Sequence, residues 1–127
     1  MGDMYHSMGN RKASYSCYEE ALKVDPSYAP VLNNYAYYLC TEGKKLKKAL
    51  KMSEITVRAN PDNATYLDTY AWILHLLGRD AEAKPLLKHA MIYGGRESKE
   101  VLYHYAEVLR KLGDSLADYY QSLSDQK

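Results

Sequence analysis

Leu67-Asp68-Thr69-Tyr70-Ala71-Trp72-Ile73-Leu74-His75-Leu76-Leu77-Gly78 is the stretch whose reading decides the fold. Leu67, Tyr70, Ala71 and Leu74 follow the i, i+3, i+4, i+7 spacing that lines up side chains on one face of an α-helix. The small Ala71 at the centre of that stripe allows another helix to approach closely. Gly78 then ends the helix, because glycine takes the left-handed backbone of a helix C-cap without a Cβ clash.

The same stripe recurs 35 residues earlier, as Leu32, Tyr35, Ala36, Leu39 and Gly43, and 35 residues later, as Leu102, Tyr105, Ala106, Leu109 and Gly113. Pro26 and Pro61 keep the same step, and Gly9 lies 34 residues before Gly43. Self-similarity at one fixed period is the mark of a repeat architecture. After each glycine a second amphipathic helix follows. Its buried face reads Tyr15, Tyr18, Ala21 and Leu22, then Leu46, Ala49, Leu50 and Ser53, then Ala83, Leu86, Leu87 and Ala90. Asp25-Pro26 and Asn60-Pro61 close two of the units, since proline cannot continue a helix. The spacing predicts eight helical segments, at 1–8, 11–24, 29–41, 45–59, 64–77, 80–93, 99–112 and 115–124, and no strand.

These residues resemble the tetratricopeptide (TPR) repeat family. Leu67, Tyr70-Ala71, Leu74, Ala83 and Leu87 carry its pattern in one unit, and Gly2, Tyr5, Ser14, Tyr18, Ala21 and Pro26 in another. Asn33 to Leu39 and Thr65 to Trp72 look like bacterial members. The resemblance implies an all-α fold, a right-handed α–α superhelix of about three to four helix-turn-helix repeats. The units are expected at 1–26 (truncated), 27–61, 62–96 and 97–124, in one domain cut from a longer array. Three departures stand out. Gly43-Lys44-Lys45-Leu46 carries an extra residue. Gly94-Gly95 replaces the closing proline, which predicts a looser exit turn. Pro85 lies inside a helix and is expected to bend or weaken one turn. At the other end, Leu116, Tyr119, Tyr120 and Leu123 make a stripe suited to a closing helix.

Composition narrows the function. Seventeen Lys and Arg against sixteen Asp and Glu leave a net charge of +1, so nothing draws the whole chain to nucleic acid or an anionic membrane. No apolar run is long enough to span a bilayer, and Met1-Gly2-Asp3-Met4-Tyr5 is no secretory signal. The compartment stays open between bacterial cytoplasm and cell envelope. Fourteen Tyr with one Trp and no Phe suit a thin fold, where a ring fills the interior and its hydroxyl reaches an edge. Cys17 and Cys40 have no metal spacing and read as small hydrophobes.

No chemistry of catalysis emerges. The four histidines form no His-Glu-x-x-His or i, i+4 pair. His75 and His104 could meet across neighbouring first helices, with Asp68 or Glu107 as a third donor, but two ligands alone do not make a metal site. Gly94-Gly95 lacks a phosphate-loop context, and no Ser or Cys has a nucleophile motif. Lys44, Lys45, Lys47, Lys48 and Lys51 read as a solvated face, with no interleaved aromatics for RNA stacking. The expectation is therefore no enzyme, no cofactor and no nucleic-acid partner.

In TPR proteins the first helix of each unit lines the concave side, so the resemblance places a groove there. Its candidate residues are Asn33, Asn34, Tyr37 and Thr41, then Asp68, Thr69, Trp72 and His75, then Tyr103, His104, Glu107 and Arg110. Cys40, Leu76 and Lys111 fall on the same faces. Trp72 and Tyr37 are the expected anchors, and Asn33 and Asn34 the expected backbone hydrogen-bonders. Family members that hold acidic chaperone tails use a Lys, Arg and Asn clamp. Only Asn34 matches it, and Thr65 and Thr69 stand where basic residues would be. The expected function is a protein- or peptide-binding scaffold, with self-association through the repeat ends as the alternative.

Overall fold

The computed structural model describes residues 11–127, with side-chain surroundings from residue 15 onward. The segment expected at 1–8 lies outside the described residues. The rest form helices α1 (Arg11–Val24), α2 (Ala29–Thr41), α3 (Leu46–Ala59), α4 (Ala64–Leu76), α5 (Asp80–Ile92), α6 (Lys99–Lys111) and α7 (Ala117–Asp125). No strand occurs among the described residues. Each helix packs on the next, and α2 also packs on α4, and α4 on α6. Alternate helices therefore stand side by side in one layer, and that layer positions the site.

The repeating stripe is the core. Ala36, Ala71 and Ala106 are wholly inaccessible, and the flanking leucines Leu32, Leu39, Leu67, Leu74, Leu102 and Leu109 are buried with them. Two clusters form. One gathers α4 to α7 around Leu74, Leu87 and Leu109. The other gathers α1 to α3 around Tyr35 and Leu39, with Ile73 of α4 joining it. Leu50 touches both, so the interior is continuous from unit to unit. Tyrosine works as its edge-reaching chemistry suggests: the Tyr35 ring is buried while its hydroxyl donates to Glu19 Oε1 at 2.6 Å, with Lys48 Nζ 3.2 Å away.

The turns follow from local chemistry. Gly43, Gly78 and Gly113 adopt φ of 68°, 79° and 72°. In each case the residue after the glycine donates its N–H to the repeating leucine five residues back, from Lys44 to Leu39, Arg79 to Leu74 and Asp114 to Leu109. That bond is the Schellman closure, which satisfies a carbonyl the helix end would leave orphaned. The extra residue after Gly43 is absorbed at Lys45, which takes φ 48°. Asp25-Pro26-Ser27-Tyr28 and Asn60-Pro61-Asp62-Asn63 are matching turns, closed from the Tyr28 N–H to the Asp25 carbonyl and from Asn63 to Asn60.

One local expectation is corrected. The Gly94-Gly95 exit is tight rather than loose. Gly95 is buried, opens a short 3-10 turn (Gly95–Glu97), and has no room for a Cβ, which would sit 2.7 Å from the Ala90 carbonyl oxygen. α5 runs through Pro85, where one turn lacks a backbone hydrogen bond. The amide Pro85 lacks would have bonded Ala81, and both residues are exposed, so water can take that carbonyl.

Candidate functional site

The layer made by α2, α4 and α6 carries the candidate residues. Each of these helices gives one face to the core stripe, and the residues between the stripe positions face the neighbouring layer helices. A hollow of about 230 Å³ opens there. Asn33, Asn34, Tyr37 and Tyr38 of α2 form one wall, Thr65, Asp68 and Thr69 of α4 the floor and opposite wall, and Glu100 of α6 an edge. No Lys or Arg lines it among the described residues.

Polar satisfaction within this hollow is uneven. Thr69 is tied down, its hydroxyl donating to the Thr65 carbonyl at 3.2 Å. Asp68, only 6% exposed, has Oδ1 2.7 Å from His104 Nδ1. A carboxylate only accepts, so the imidazole proton sits on Nδ1 and donates to Asp68. Asn33 is different. It is 7% exposed, and its side-chain oxygen Oδ1 is buried without a hydrogen-bond partner. An unsatisfied buried acceptor costs about 1–3 kcal/mol.

Beside the hollow stands an aromatic stack. The half-buried Trp72 indole stacks on His104 at 4.0 Å between ring centroids and on His75 at 4.6 Å, with Tyr103 tilted 6.2 Å away. Both histidines are held from behind by carboxylates. His104 is held by Asp68, and the His75 Nδ1 pairs with Asp80 at the start of α5. Trp72 also packs against the α1–α3 cluster, so one face of the ring belongs to the interior.

The electrostatics are negative. Burial pushes the Tyr37 hydroxyl above its ordinary value, and the charges of Glu100 and Asp68 push it further. Burial, then the Asp68 charge, raises the Cys40 thiol to about 12. Cys40 is therefore a protonated thiol at neutral pH, donating to the Tyr37 carbonyl at 3.0 Å, and not a nucleophile. Cys17 is only half-buried.

The sequence-derived residues divide into three groups. Asn33, Asn34, Tyr37, Asp68 and Thr69 line the hollow together. Trp72, His75, Tyr103 and His104 form the adjoining stack. Thr41, Glu107 and Arg110 lie apart from the hollow. Thr41 is exposed and donates to the Tyr38 carbonyl, while Arg110 pairs with Glu107 and reaches toward Asp118 at 3.8 Å. Sequence reasoning did not anticipate Tyr38 or Glu100 as lining residues. Glu100 sits two positions before the α6 stripe, where a first-turn acid reads as a helix-dipole partner and nothing more. Sequence reasoning set Asp68 near His75 and His104 as a possible third metal donor, whereas the structure pairs it with His104 in a hydrogen bond and gives His75 to Asp80. Among the described residues no group of three His, Cys, Asp or Glu is placed to hold a metal. Of the lysine cluster, Lys48 is drawn to Glu19 at 2.7 Å, and this pairing lowers the Glu19 carboxyl below its ordinary value.

A family model described as tetratricopeptide repeat matches residues 1–113. The chain belongs to that family. Solved structures agree on the fold. MamA ("Crystal structure of MamA") superposes with a TM-score of 0.81 at 16% identity, covering 99% of this chain and 73% of that one. The structure titled "Functional Characterization of Pseudomonas Aeruginosa pilF" gives 0.81 at 22% identity, covering 98% of this chain and 57% of that one. The structure titled "MamA MSR-1 C2" gives 0.77 at 19% identity, covering 98% and 71%. No curated protein matches. The architecture is thus the all-α right-handed superhelix of TPR proteins, a family whose members in general bind protein partners and whose fold is in general a non-catalytic scaffold. No helix among the described residues is long and apolar enough to cross a membrane.

Proposed function

We propose that this chain is a docking scaffold that holds an extended segment of a partner protein along the layer of α2, α4 and α6, and that it is not an enzyme. The observation that supports this most is the company kept by Asn33: a buried acceptor with no partner, set in an open hollow beside the half-buried Trp72. A segment whose backbone or side chain donates to Asn33 would relieve that cost, and Tyr37 and Trp72 would supply apolar contact. The same reading divides the chain into a first unit ending at residue 26 and units 27–61, 62–96 and 97–124.

Peptide display tests the proposal. Peptides enriched on the wild-type chain should bind at least about tenfold more weakly to Trp72→Ala and to Tyr37→Ala, each checked for retained helicity by circular dichroism. Equal affinity for wild type and both variants would remove the groove from the account. Self-association is the second reading, favoured by Leu116 and Tyr119, which stand 51% and 49% exposed at the last helix. Light scattering over a range of concentrations separates the two, and a mass that rises with concentration would favour it.

A further inference from the structure

Resting on the docking reading, we propose that the hollow between α2, α4 and α6 receives a cationic side chain of the partner segment, an arginine guanidinium or a lysine ammonium. Four observations converge. Asp68 and Glu100 bring two carboxyl groups to the hollow, and no Lys or Arg lines it among the described residues. The negative field is felt inside: both carboxylates push the Tyr37 hydroxyl up, and Asp68 does the same to the Cys40 thiol. Asn33, a lining residue that is itself 7% exposed, has a buried side-chain oxygen without a partner, which a small side-chain turn would bring to a donor in the hollow. Tyr37 offers a ring to the same space, and a cation packs favourably over an aromatic face.

The donor count points the same way. His104 occupies one oxygen of Asp68, which leaves the second oxygen and the Glu100 carboxylate on residues that line one cavity, with the buried Asn33 oxygen on a third. A carboxylate-bearing ligand would find amide and hydroxyl donors here, but it would face the like charges of Asp68 and Glu100 with no Lys or Arg lining the hollow to offset them. A neutral apolar side chain would leave Asn33 unsatisfied. Guanidinium has five N–H donors in a planar fork, and ammonium has three, so either answers a space that carries two carboxyl groups and no cation. A volume of about 230 Å³ accommodates such a group with room for bridging water.

Dodecapeptide pools test this, with every position randomised except a central one fixed as arginine, lysine, citrulline, leucine or glutamate. Binding to the intact chain is read by fluorescence anisotropy, and the place of binding by NMR shifts of the Asn33 and Asp68 amides. Arginine and lysine pools should bind about tenfold or more tighter than the citrulline pool, whose side chain keeps the shape of arginine without its charge. Glu100→Gln, at an exposed position, should shrink that preference several-fold and leave the fold intact. Asp68→Asn, which keeps an oxygen for His104, should shrink it further. Equal binding of all pools, or preference for leucine or glutamate, overturns the cation inference while the docking reading survives. Failure of every pool to shift the Asn33 and Asp68 amides overturns both.

Discussion

The two faces of α4 were built from adjacent residues and behave as opposites. Leu67, Ala71 and Leu74 are sealed into a continuous interior, with nothing polar left over. Asp68, Trp72 and His75, each one position along the chain from that stripe, meet an open layer where polar groups pair across helices. The sealed face satisfies itself completely and so can only hold the fold. The open face shares its hollow with Asn33 of α2, and a group that folding leaves unsatisfied is one that a ligand can satisfy. Ser53 Oγ, sealed in the interior, is also buried without a partner, so it is the hollow beside Asn33, and not the orphaned atom alone, that sets the open face apart.

Breaking the sealed face should have the largest effect. Leu74→Ala removes a buried side chain while keeping the backbone carbonyl that receives the Arg79 N–H, and should cost about 2–5 kcal/mol in urea unfolding. Peptide affinity of the fraction that remains folded should not change. On the open face, His104→Ala deprives the buried Asp68 of its donor and Trp72 of a stacked ring. It should cost about 1–3 kcal/mol, and a blue-shift or intensity change of Trp72 emission should accompany it. The comparison sharpens most at Asn33, where the smallest stability change is expected. Asn33→Leu replaces an unpartnered acceptor with an apolar group, so unfolding free energy should stay level or rise by about 1 kcal/mol while peptide binding weakens. A loss of stability there would mean that Asn33 serves the fold, and the contrast between the two faces would fail.

Much of this was legible before any coordinates. The helices follow the 3.6-residue rhythm closely because every unit must bury the same stripe on its neighbour. The glycines mark the turns because a left-handed residue is needed to close each Schellman bond. The grouping of Asn33, Asn34, Tyr37, Asp68 and Thr69 in one hollow was also within reach, since equal positions in successive units stand side by side. The exit at Gly95 was misjudged because a missing proline says nothing about a backbone contact with Ala90, which only the packing of α5 against the following turn creates.

Period and residue type alone determined that this chain is a stack of helical pairs and which side of each helix is buried, because burial of a periodic apolar stripe has one solution. Only the tertiary structure decided which polar groups spend their hydrogen bonds on one another. His104 turns to Asp68, His75 to Asp80 and Arg110 to Glu107, while Asn33 is left with none. The physical reason is that residue type offers each of these groups several partners. Glu107 lies on Arg110's own helix, Asp80 across one turn from His75, and Asp68 about one repeat from His104, and only the packed helices settle which pairs form and that Asn33 has none.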